Sequence, residues 1–185
     1  LACLTEYVRQ EIVKTHPDFK LYTGQELWYH EGLVERLREG TAYTLADSHY
    51  VLVEFAPAVS YRELFQGLRT LAQAGYVPVL AHVERYRCLR QEENHLEELR
   101  EGGCILQMNY TSLTGGILDP GTRWCRKQIL AGRVQLLGTD MHRTDFRPPD
   151  ITGAMRWLER HVDKEWLAIL TGRNPIHMIN DERLE

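Results

Sequence analysis

The side chains with the most chemistry to offer stand where apolar runs end. Glu26 lies at the end of "KLYTGQEL", His82 at the end of "VPVLAHV", Asn109 at the end of "CILQMNY" and Asp140 at the end of "VQLLGTD", with His142 two residues further on. Imidazole and carboxylate together form a ligand set for Zn, Mn or Fe. Alternate residues of an extended segment share a side, so Asp140 and His142 can face one ion. Each residue also has a plainer reading. A glutamate near a strand end is commonly a solvated charge. A histidine on an apolar strand is satisfied as well by a hydrogen bond as by a metal. Glu54, in "VEFAP", reads as structural, a cap for the segment that follows.

Two arginines follow these segments. Arg85 comes three residues after His82, and Arg147 five after His142. Most arginines are surface residues, but a guanidinium beside a metal site can grip phosphate bidentately. Pro148 and Pro149 stiffen the backbone just beyond Arg147. Other histidines offer less: His16 sits in a "THPD" turn, His95 and His161 on polar helix faces, and His30, His49 and His177 have no nameable partner.

These groups need a scaffold that brings strand ends together. Strands are predicted at 20–27, 50–55, 77–83, 104–110 and 134–140, with helices near 2–14, 31–39, 61–74, 92–101, 122–131 and 151–170. Leu64, Leu68 and Leu71 form one helical stripe, Ser60 is placed to cap that helix and Gly75 to stop it. Met155, Leu158 and Val162 form a stripe on the last helix. Strands alternating with helices imply a mostly parallel sheet, and near-continuous apolar strands imply cover on both faces. Such folds collect functional groups at the carboxyl ends of their strands. An open doubly wound sheet and part of a (β/α) barrel both fit.

The bulk numbers narrow the class. The chain has 185 residues, 43% hydrophobic and 26% charged, an ordinary globular balance that suits a single domain over 1–185. A net charge of -4 argues against nucleic acid as a partner. Cys3, Cys88, Cys104 and Cys125 form no Cys-x-x-Cys pair, and a reduced, cytoplasmic setting is expected. No apolar run reaches the roughly 18 residues of a membrane span. Neither "CLRQEEN" nor the surroundings of the other cysteines supply the phosphate-cradling Cys-x5-Arg loop of a cysteine phosphatase.

Taken in order, "GQELWY", "LAHVERY", "LQMN" and "GTDMHRTDFRPP", with "DSHYVLVEFAP" between the first two, resemble the bacterial manganese-dependent tyrosine phosphatases of capsule and exopolysaccharide synthesis, within the PHP superfamily. The resemblance runs from about residue 20 to the end. It implies a distorted (β/α)7 TIM-like barrel with clustered metals at the carboxyl rim. It implies Glu26 as a metal-bridging carboxylate, His82, Asp140 and His142 as further metal ligands, and Arg85 and Arg147 as the catalytic pair that holds phosphate. The implied cofactor is a divalent metal, Mn, with Fe or Zn compatible. The implied partner is a phosphotyrosine protein, a tyrosine kinase of polysaccharide export. Family members also carry an amino-terminal His-x-His, an Asp-Asp-Gly stretch and a further ligand histidine. No two histidines here stand two apart. The expectation is therefore an incomplete barrel lacking its first β-α units, without the full three-metal cluster, impaired in activity and prone to self-association. Another PHP phosphatase, such as a histidinol phosphatase, and a non-catalytic folded remnant are the alternatives.

Overall fold

A computed structural model describes residues 2–143 and 145–185, with backbone alone for Ala2 and Cys3. Its centre is a sheet of five parallel strands in the order β1-β2-β3-β4-β5. The strands are β1 (Leu27–Trp28), β2 (Tyr50–Glu54), β3 (Val77–Leu80), β4 (Ile105–Asn109) and β5 (Leu136–Gly138). Spatial order equals chain order, as successive β-α units produce when each new strand is laid beside the last. The register pairs Val53 with Leu80 and Asn109 with Gly138, so the carboxyl ends form one rim. β1 and β5 are the edges, and the sheet is an open arc of a barrel.

Side chains of a strand alternate between faces, and the core divides accordingly. Val51 and Val53 of β2, Leu80, Leu106 and Met108 belong to the main core, with the helices that cover that face. These include α3 (Tyr61–Gln73), α5 (Asn94–Glu101), α6 (Pro120–Leu130) and α7 (Thr152–His161). The stripe Leu64, Leu68 and Leu71 is buried within it. α3 starts on a complete capping box: Ser60 Oγ accepts from Glu63 N–H, and the Glu63 side chain accepts from Ser60 N–H. It stops before Gly75, whose φ of +93° is open to glycine and strained for other residues. On the opposite face Tyr50, Val79 and Leu136 form a smaller cluster, joined by Leu45, Leu52, Met178 and Leu184.

The remaining helices are α1 (Ala2–Thr15), α2 (Leu33–Arg38), α4 (Arg87–Gln91), α8 (Lys164–Ala168) and α9 (Asn174–Ile179). The structure differs from the sequence expectation in several elements: α4 and α9 were not expected, β3 stops at Leu80 short of residue 83, and two further differences are larger. The strand expected over 20–27 is reduced to Leu27–Trp28. Its first part is tied to the next loop instead of a ladder: Ala46 N–H donates to Thr23 O (2.7 Å), and Tyr43 N–H to Gln25 Oε1 (3.3 Å). The helix expected over 151–170 breaks after His161. Asp163 there caps α8 by accepting from Trp166 N–H (2.9 Å), and a π-helical turn at Ile169–Arg173 leads into α9. No helix among the described residues is long and apolar enough to cross a membrane.

Candidate metal and phosphate site

His82 follows β3 and is almost fully buried, with a side chain 5% exposed. Its backbone adopts the left-handed conformation (φ 36°, ψ 60°), unusual for a residue with a Cβ. Its N–H donates to Gln107 Oε1 (2.7 Å), which fixes the turn to β4. The turn aims Nε2 at two carboxylates, Glu26 Oε1 at 2.9 Å and Glu54 Oε2 at 3.2 Å. A single ring nitrogen can donate one proton, so it cannot bond both acceptors fully. Donor atoms of Glu26, Glu54 and His82 lie within 4.8 Å of one another, close enough to share one cation. Two carboxylates and an imidazole suit a first-row divalent ion. His82 Nδ1 is buried without a hydrogen-bond partner, so protein contacts alone do not satisfy this ring. The donor set fits a metal.

Glu54 corrects the reading of the sequence. It was expected to cap the following segment, but it ends β2 opposite Trp28 and turns to His82. The rule that singles out Glu26, a carboxylate at a strand end, selects Glu54 equally well.

The second half of the site centres on Asp140, whose side chain is 13% exposed. Asp140 Oδ2 accepts from Arg147 Nη1 (2.7 Å), from Asn109 Nδ2 (3.3 Å) and, at closer range, from Arg85 Nη2. Both arginines singled out in the sequence thus converge on one carboxylate oxygen. His142 is half-exposed, and its Nδ1 lies 2.8 Å from Asp140 O and 3.6 Å from Asp140 Oδ1. Asp140 (φ 49°) and Arg147 (φ 51°) are also left-handed. The loop between them closes on itself, with His142 N–H donating to Arg147 O (3.2 Å) and Arg143 N–H to Phe146 O (3.0 Å).

The two halves meet at a cavity of about 250 Å³ under the rim, lined by Glu26, His82, Asn109 and Asp140 and walled by Leu52, Val79, Leu136 and Met178. Behind it, Glu84 holds the turn carrying His82 and Arg85. Its Oε1 accepts from Ser112 Oγ (2.8 Å) and Asn109 N–H (3.2 Å), and burial pushes its carboxyl above the usual range. Gly138 leaves room for the Gln107 side chain beside it; a Cβ there would lie 2.6 Å from Gln107 Nε2.

Among the described residues, no cysteine side chain takes part in this geometry. Cys88, Cys104 and Cys125 are free thiols, and burial pushes Cys104 and Cys125 up to about 12. The Cys-x5-Arg spacing does occur once, at Cys3–Arg9, which corrects the sequence reading. Both residues lie inside α1, where a helix, not a loop, carries them. Of the remaining histidines, His49 pairs with Asp181 and His95 stacks on Tyr61.

The comparisons with known proteins agree with this architecture. Tyrosine-protein phosphatase CpsB of Streptococcus pneumoniae is 29% identical over 180 residues, covering 95% of this chain and 74% of that protein. Tyrosine-protein phosphatase YwqE of Bacillus subtilis is 25% identical over 166 residues, covering 90% of this chain and 65% of that protein. Among solved structures, one from work on YwqE of Bacillus subtilis and CpsB of Streptococcus pneumoniae, described as unique metal-dependent tyrosine phosphatases, superposes with a TM-score of 0.86 at 22% identity. It covers 98% of this chain and 73% of the other, and establishes the likeness of fold. The sequence pattern described as "Capsular polysaccharide synthesis, CpsB/CapC" matches residues 2–180. This chain belongs to the CpsB/CapC family of capsular polysaccharide synthesis.

Proposed function

We propose that this chain is a metal-dependent phosphomonoesterase acting on phosphotyrosine in a protein of capsule or exopolysaccharide synthesis. One observation carries the reading: a convergent Glu26–Glu54–His82 donor set and a convergent pair of guanidiniums stand on the same strand-end rim. The relatives are named tyrosine-protein phosphatases, which supplies the substrate class.

Glu26, Glu54 and His82 would hold a divalent ion, with Asp140 and His142 as further ligands. Mn is the ion we infer; Fe and Zn suit the same donors. When bound, such ions supply a water ionised near neutral pH and positive charge against the phosphoryl oxygens. Arg85 and Arg147 take the remaining phosphate charge, and planar guanidiniums suit that task through paired N–H donors. Asp140 pairs with both of them here, and substrate phosphate replaces it as their anion. Asn109 Nδ2 adds a neutral donor at the same point. Glu84 and Gln107 position the turn that carries His82 and Arg85. The partner we infer is a cytoplasmic tyrosine kinase of polysaccharide export. The chain also self-associates through its exposed apolar end.

Assay of the purified 185-residue chain with a phosphotyrosine peptide and with histidinol phosphate, each with Mn and with EDTA, tests the reading. Slow, Mn-dependent release from the peptide is expected, lost in EDTA and in Arg147→Ala. The rate is expected far below that of a complete metal cluster, because no His-x-His pair exists in this sequence. Preference for histidinol phosphate would favour the other PHP chemistry. Absence of bound metal with no release would make the chain a folded remnant.

A further inference from the structure

The loop that carries His142 and Arg147 also carries an aromatic ring that the metal and phosphate roles leave unused. Phe146 is 51% exposed in an otherwise polar stretch, "HRTDFRPP". It is held, not loose: the backbone bonds that close the loop run through Phe146 O and Arg147 O. The guanidinium carbon of Arg147 lies 5.5 Å from its ring centroid and that of Arg143 6.0 Å. The His142 ring meets it edge-on, 6.1 Å away at 87°. Burial of apolar surface does not account for a ring left half in water among two cations and an imidazole.

We propose that Phe146 selects aryl over alkyl phosphate esters, by receiving the ring of a phenolic leaving group when Arg147 holds the phosphate. The inference rests on the reading that Arg85 and Arg147 are the phosphate-binding pair. A phenolic ester carries its ring one oxygen from phosphorus, so phosphate on Arg147 brings that ring beside Phe146. Aromatic pairs are favourable at centroid separations of roughly 4.5–7 Å, and Phe146 already makes one such pair with the His142 ring at 6.1 Å, while its contact with Arg147 is a cation over the ring. An alkyl ester offers no π-face there. Discrimination then comes from a side chain that contacts the leaving group, while the metals and arginines treat every phosphomonoester alike.

The test uses the whole chain with Mn and two non-hydrolysable mimics, benzylphosphonate for the aryl ester and propylphosphonate for the alkyl ester, titrated by calorimetry. The unaltered chain should bind benzylphosphonate roughly 3- to 10-fold more tightly, as one aromatic pair allows. Phe146→Ala should bring the two level, and Phe146→Tyr should restore the difference. A preference that persists in Phe146→Ala, or that the unaltered chain lacks, overturns the inference and leaves the phosphate reading standing. Inorganic phosphate affinity that is unchanged in both Arg85→Ala and Arg147→Ala overturns the phosphate reading, and the inference with it.

Discussion

Asp140 is the residue on which the site turns, because one oxygen serves Arg85, Arg147 and Asn109 together. Two guanidiniums on one carboxylate already hold an anion, and on the proposed reading they are the pair that binds phosphate. A free phosphate must displace that internal competitor. In metal-free protein, Asp140→Ala is therefore expected to raise inorganic phosphate affinity roughly three- to tenfold, the worth of a partly exposed ion pair. Arg85→Ala should lower it. Calorimetric titration in EDTA reads both, and weaker binding in Asp140→Ala would mean that the carboxylate positions the arginines more than it competes for them. At this scale much was legible. Glu26 and His82 meet, and Asp140 meets both arginines, because strand-end residues of a parallel sheet share a rim. Glu54 is less legible, because a glutamate in "VEFAP" equally suits a cap for the segment that follows. Gln107 and Glu84 had no signal, since their roles depend on which strands become neighbours.

At the scale of elements, strong local patterns located most of the framework. Ser60, the leucine stripe and Gly75 bounded α3 to within a residue, and β2, β3 and β4 lie inside their predicted spans. β1 was overestimated because apolar and aromatic residues in "KLYTGQEL" suggest a strand, whereas its polar groups pair with a loop that only the fold brings near. The break after α7 had a signal in "VDKEW", an N-cap aspartate within an apparently continuous helical stripe. Charge also ties elements together. Arg133 reaches Glu97 (2.7 Å) and Glu93 (3.2 Å), and Lys127 reaches Glu93 (2.8 Å), joining α5 to α6 and the approach to β5. Hydrogen bonds from Lys127 to Glu93 and from Arg133 to Glu97 hold both carboxyls below their ordinary range. With folded pKa values depressed, the stabilisation is present above the unfolded carboxylate value and is lost as pH falls through the lowered one. Arg133→Met should cost roughly 1 kcal/mol near neutral pH, since the pairs are partly exposed. It should also flatten the acid limb of stability, measured by urea unfolding between about pH 3 and pH 7.

For the molecule as a whole, the open sheet raises the question of what covers it. Its edges are two and three residues long, too short to template another strand well. Exposed apolar side chains lie on several elements: Trp28 on β1, Ile117 and Leu118 before α6, and, near the amino end, Leu4, Tyr7 and Val13 on α1 with Phe19 and Tyr22 just after it. Apolar side chains left in water favour association. Sedimentation velocity should show a concentration-dependent mass above the 21.6 kDa of one chain, reduced by Leu4→Glu with Tyr7→Glu. A single 21.6 kDa species at every concentration, in the unaltered chain, would remove self-association from the account.

His82, Asp140 and Arg147 all hold left-handed backbone that glycine would adopt freely. Such strain is worth roughly 1–2 kcal/mol for a residue with a Cβ. Glycine at any of the three would ease the local backbone while removing a side chain of the proposed site. On the proposed reading, selection for heat resistance alone, as in a directed-evolution screen without an activity step, would favour glycine here at the expense of the metal and phosphate groups. On that reading, thermal tolerance and function pull in opposite directions at these three positions.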